Sequence, residues 1–104
     1  MRRKEERQPI AMKALCRTGM DRWQVAMWDL SSHGCRIFAA QMELEPGRRI
    51  VLRPEGMEGL TGTVRWAGSE FAGIEFDDPL HPAIVDHLCR LHPDEERVAL
   101  ELAA

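Results

Sequence analysis

The stretch LTGTVRWAGSEFAGIEF, residues 60–76, carries the pattern from which the fold is read. Its first half alternates. Val64 and Trp66 fall on one face and Thr63 and Arg65 on the other, as side chains do along a strand. Gly68 and Ser69 signal a turn, and beyond it Ile74 and Phe76 share a face opposite Glu75. Two alternating runs joined by a tight turn read as a hairpin, so strands are predicted over 60–67 and 71–76.

Working outward from that hairpin, the same period recurs. Towards the N-terminus, residues 50–53 form a short strand, with a loop containing Gly56 and Gly59 over 54–59. Glu45-Pro46-Gly47 is a turn with Pro second and Gly third, the arrangement a type II turn requires. Strands are predicted at 35–39, at 23–28, where Val25 and Met27 oppose Ala26 and Trp28, and at 10–16, with a turn at 17–22 around Gly19. Six short strands separated by turn signals point to a small antiparallel barrel or sandwich. Towards the C-terminus, Asp77-Asp78-Pro79 ends the alternation. Pro82 then suits a first helical position, and Ile84, Leu88 and Leu91 recur at helical spacing, so 82–91 is predicted as a helix.

The 104 residues suffice for one domain with one core. A polar tail is expected over 1–9, the barrel with its helix over 10–93, and a C-terminal tail, in part helical with Asp94 as N-cap, over 94–104. The 44% apolar and 30% charged composition is that of a soluble globular protein. The net charge of -3 argues against a general nucleic-acid or membrane-surface binder, so any anion site must be local. No apolar run approaches a transmembrane length, and the charged start offers no signal-peptide core. The three cysteines have no CxxC spacing, and Cys16 and Cys35 sit in apolar runs, so free thiols in a cytoplasmic protein are expected.

The chemistry-bearing residues concentrate in two places. The first is DLSSHG, with Asp29, Ser31 and Gly34 in a DxSxxG pattern. Alone, this is sufficient turn chemistry: Asp and Ser side chains bond nearby amides, and Gly tolerates positive φ. The second is the tail MRRKEER, where Arg3 and Arg7 are spaced RxxxR. His87, Cys89 and His92, with His81 nearby, lack CxxC or HExxH and read as helix surface rather than metal ligands. Trp23, Trp28 and Trp66 are read as core packing in preference to base stacking. No nucleophile–base pair, metal motif or phosphate-cradling Gly-rich loop is present, so no enzymatic activity and no cofactor is expected.

RxxxR, DxSxxG and the hairpin, in that order over residues 2–91, resemble the PilZ domain, the bacterial receptor module for cyclic di-GMP. The resemblance implies a six-stranded antiparallel β-barrel followed by an α-helix, with the dinucleotide on the outer face beneath the N-terminal tail. Arg3 and Arg7 would be the RxxxR arginines, with Arg2 as a neighbouring contact, and Asp29, Ser31 and Gly34 the second motif. The chemistry suits the ligand. Arg presents a planar fork to phosphate oxygens or to guanine O6 and N7, and a carboxylate accepts from guanine N–H groups. The function expected is a receptor that changes shape on binding cyclic di-GMP and signals to a downstream protein, without nucleic acid or membrane as partner. The alternative is a PilZ-fold adaptor that binds only protein, with an OB-like nucleic-acid module third.

Overall fold

The computed structural model describes residues 8–39, 43–68 and 70–91. Among them are six strands and one helix: β1 (Gln8–Thr18), β2 (Asp21–Leu30), β3 (Gly34–Phe38), β4 (Arg49–Pro54), β5 (Leu60–Gly68), β6 (Phe71–Phe76) and α1 (Pro82–Leu91). Every strand pairing is antiparallel, and the strands close into a barrel in the order β1-β2-β3-β6-β5-β4. Closure gives every strand a neighbour on both sides over at least part of its length. The predicted six-stranded barrel with a C-terminal helix is the observed fold. β1 begins at Gln8, two residues before the predicted start at Ile10. His92 and the expected tail over 94–104 lie outside the described residues.

The barrel interior is filled by the period-2 face of each strand. Met12 and Cys16 on β1, Val25 and Met27 on β2, Ile37 on β3, Leu52 on β4, Val64 on β5 and Ile74 on β6 are all buried in one cluster. Each side chain of Leu, Ile or Met size contributes about 1.5–3 kcal/mol when fully withdrawn from water. Burial pushes the Cys16 thiol up to about 11, so it behaves as a small apolar group rather than a nucleophile.

The turns follow local chemistry. Gly47 has φ 93°, and the Arg48 N–H donates to the Glu45 carbonyl at 3.0 Å, as expected of the third position of a type II turn. The turn predicted over 17–22 is tighter than expected. Thr18 pairs with Asp21, leaving only Gly19 and Met20 in the loop, and Arg17 and Arg22 face each other within the strands.

Two breaks in alternation re-aim side chains. Val64 pairs with Ile74 but Trp66 with Gly73, so Arg65 is an extra residue in β5. The bulge turns Trp66 to the outer face, 43% exposed, whereas strict alternation had placed it with Val64. In β1, Pro9 and Ile10 stand opposite the single residue Asp29, whose φ is 52°. Proline is tolerated at such a bulge because no ladder bond is asked of it there. Beyond this irregularity Leu30, not Asp29, enters the core.

The helix also differs from its predicted face. Val85 and Leu88 are buried, and Cys89 packs against the same cluster, while Ile84 and Leu91 are 40% and 56% exposed. The approach to the helix helps set this rotation. The Leu80 N–H donates to Ser32 at 2.8 Å, Leu80 is itself buried, and the His81 side chain accepts from the Ala83 N–H at 3.0 Å. α1 then lies against β1. None of the described helices is long and apolar enough to cross a membrane.

Candidate functional site

The DxSxxG segment joins β2 to β3. Ser31 is fully buried. Its hydroxyl accepts from the N–H groups of His33 and Gly34, both at 3.2 Å, and its own N–H donates to the Gly34 carbonyl at 2.8 Å. The side chain therefore folds the turn onto itself, as short hydroxyl side chains do. Gly34 is packed so closely under β6 that a Cβ would collide with the Ile74 carbonyl oxygen. The turn is tied onward as well. The Phe76 N–H donates to the His33 carbonyl at 2.8 Å, and the bond from Leu80 to Ser32 connects it to the start of α1.

Asp29 is different in kind. Its left-handed backbone turns the carboxylate to the outer face, where Arg36 Nη1 donates to Oδ2 at 3.0 Å. Arg36 is outward on β3 because Cys35 and Ile37 are inward. Its guanidinium carbon lies 5.0 Å from the Trp28 ring centre, 5.9 Å from Phe71 and 6.0 Å from Trp66. Each is within cation–π range. Its buried Nε has no hydrogen-bond partner among the described residues.

These residues form a single row across four strands. Trp28 pairs with Arg36, Arg36 with Gly73, and Gly73 with Trp66. Gly73 leaves the gap in that row. A Cβ there would collide with the Trp66 indole, which lies over it. Trp28 stacks on Phe71 at 4.9 Å with 15° between planes, and Phe38 leans on Phe71 at 5.3 Å. Trp28 is thus buried, in agreement with its reading as a packing residue, although it stands outside the interior cluster and stacks on Phe71. Trp66 departs from that reading, and only Trp23 packs against the core cluster.

The result is a guanidinium held between aromatic faces, bonded to a carboxylate at one rim. Such a surface suits a flat heteroaromatic ring: the exposed Trp66 indole can stack, the guanidinium donates to ring acceptors, and the carboxylate takes ring N–H groups. Sequence reasoning missed Arg36, although its position two residues after Gly34 on an alternating strand was a usable signal. It could not find the Trp66 placement, which depends on the bulge.

Arg2, Arg3 and Arg7 lie outside the described residues. The backbone register nevertheless starts beside the turn: Gln8, the first described residue, pairs with Leu30, the neighbour of Asp29. The helix candidates do not converge. His87 is exposed, Cys89 half-buried, and no metal-binding cluster is present among the described residues.

No curated protein matches the chain significantly. The family model of the PilZ domain matches residues 1–92, which takes in the RxxxR tail, the barrel, the DxSxxG turn and α1. With a closed six-stranded antiparallel barrel, a terminal helix and a match over most of its length, the chain belongs to the PilZ domain family.

Proposed function

We propose that this chain is a cyclic di-GMP receptor module whose site is the outer face around Asp29 and Arg36, closed by the N-terminal arginines. The observation that carries the reading is the register of Gln8 with Leu30. Arg7 is the next residue along the chain, and consecutive Cα atoms are about 3.8 Å apart, so an arginine at that position is within reach of the Asp29 rim. Guanine would stack against the indole and guanidinium surface. The two phosphodiesters would meet the forks of Arg3 and Arg7, with Arg2 alongside. Ser31 and Gly34 serve by holding the turn that presents Asp29. No step of catalysis is involved, and the consequence of binding is mechanical. The backbone bonds from Ser32 and His33 to Leu80 and Phe76 offer a route from the turn to α1, and so to a downstream protein.

The test is calorimetric titration with cyclic di-GMP, with GTP and GMP as controls. Saturating ligand should release or absorb measurable heat and raise the melting temperature, since binding to the native state alone stabilises it by mass action. Arg3→Ala, Arg7→Ala and Asp29→Ala should each weaken binding by roughly tenfold to a hundredfold, the loss of one charge-assisted contact. Absence of heat at about 100 micromolar ligand, well above a moderate dissociation constant, leaves the protein-binding adaptor as the reading.

A further inference from the structure

A cationic face lies on the β2–β1–β4 side of the barrel. Lys13, Leu15 and Arg17 alternate outward along β1, because Met12, Ala14 and Cys16 fill the core. The register sets Arg17 beside Arg22 on β2, and Leu15 beside Arg53 on β4. Lys13, Arg17, Arg22 and Arg53 are exposed and make no ion pair with any described residue.

Two grooves of about 410 and 300 Å³ lie next to each other on this face, sharing Leu15 and Arg53, and make a two-part trough whose larger part also carries Glu55. Its floor is apolar: Leu15 is 37% exposed, and Val51 and Met57 are half-buried along it.

Like charges directly across a strand pair destabilise the sheet, and Arg17 and Arg22 are such a pair. This cationic concentration stands on a chain whose net charge is -3. A long polyanion would meet acidic surface elsewhere, whereas a short acidic segment would touch only the patch. Among the described residues no aromatic side chain lines either groove, so bases find no stacking platform there.

We infer that this trough docks an acidic protein segment that carries aliphatic side chains, with carboxylates on the Arg17, Arg22 and Arg53 forks and an aliphatic group over Leu15. An acidic, aliphatic segment is then the chemistry of the downstream partner. That segment sits on a face separate from the Trp28–Trp66 row, whether or not the nucleotide binds.

The experiment uses the full chain and a fluorescent peptide of repeated Asp-Glu-Leu triplets, read by anisotropy and by amide chemical-shift mapping. Shifts should concentrate on β1, β4 and the outward part of β2. Arg17→Glu combined with Arg53→Glu should weaken binding at least about tenfold, the usual scale for charge reversal at an interface. The uncharged pair Arg17→Gln and Arg53→Gln should weaken it less, and neither pair should change the heat of cyclic di-GMP binding. Replacing the peptide leucines by serine, or Leu15 by serine, should also reduce affinity. Shifts confined to the Trp28–Trp66 face, or no binding, would overturn the proposal. So would tighter binding of a single-stranded DNA oligomer, or of phosphatidylserine vesicles, than of the peptide.

Discussion

Arg36 donates a 3.0 Å hydrogen bond to Asp29 while its guanidinium lies 5.0 Å from the Trp28 ring centre. The pair is partly exposed, 38% and 26%, so the ion pair itself contributes little, about 0–1 kcal/mol, and the cation–π contact about 1 kcal/mol more. Arg36→Ala is therefore expected to lower the melting temperature by about 4–16 °C, at 4–8 °C per kcal/mol for a domain of this size. It should also weaken cyclic di-GMP binding at least about tenfold. Arg36→Lys should keep the charge and still bind poorly, because the planar fork is lost. Thermal denaturation and calorimetry on the same preparations separate the two effects.

Gly73 and Trp66 should be energetically coupled. The indole occupies the space that a methyl group at position 73 would need. Gly73→Ala should cost about 1–3 kcal/mol, as overpacking does. In a Trp66→Ala background the same substitution should be close to neutral. A double-mutant cycle from urea denaturation reads the difference, and additive effects would mean that Trp66 does not lie over Gly73.

Ser31→Ala should destabilise the free protein by about 1–3 kcal/mol, since it strips the acceptor from the buried N–H of Gly34 and the part-buried N–H of His33. Gly34→Ala should be worse, because the obstructing Ile74 oxygen belongs to backbone and cannot rotate away. Asp29→Ala should cost less stability than either. Denaturation without nucleotide thus distinguishes the residues that build the turn from the one that the turn presents.

The exposed Arg49–Asp77 pair should make a small acid-sensitive contribution to stability. Arg49 Nη1 donates to Asp77 Oδ1 at 2.7 Å and to Thr63 at 3.0 Å. Hydrogen bonding from Arg49 holds the Asp77 carboxyl down at about 2 from an ordinary 3.8. A carboxylate depressed in the folded state adds stability that is fully present above its unfolded value and lost as pH falls through the folded one. The melting temperature should therefore fall between about pH 4 and pH 2, and Asp77→Asn should flatten that part of the profile. Thermal scans across this range check it, and identical profiles for parent and variant would show that the pair does not control acid stability.

Much of the fold was legible locally. Strand positions follow from period-2 runs such as Val64 with its neighbours, because alternation needs only one buried face. The Glu45–Pro46–Gly47 turn follows from proline's fixed φ and glycine's tolerance of a positive one. The PilZ resemblance likewise rested on short-range spacing in RxxxR and DxSxxG, together with the hairpin.

What local pattern could not supply was direction. Trp66 reads as a partner of Val64 until the pairing of β5 with β6 inserts Arg65 as an extra residue and turns the indole outward. Asp29 reads as a turn residue until β1 places Pro9 and Ile10 across from it and its carboxylate meets Arg36. Ile84 and Val85 are both plausible core residues of α1, and the bond from Leu80 to Ser32 helps set which one is buried. One residue along a helix is about 100° of rotation, and one residue along a strand is the opposite face. Hydrophobic periodicity sets the spacing of a face but not its phase after a bulge or a turn. That phase is determined by the hydrogen-bond register with neighbouring strands, which exists only once the barrel has closed.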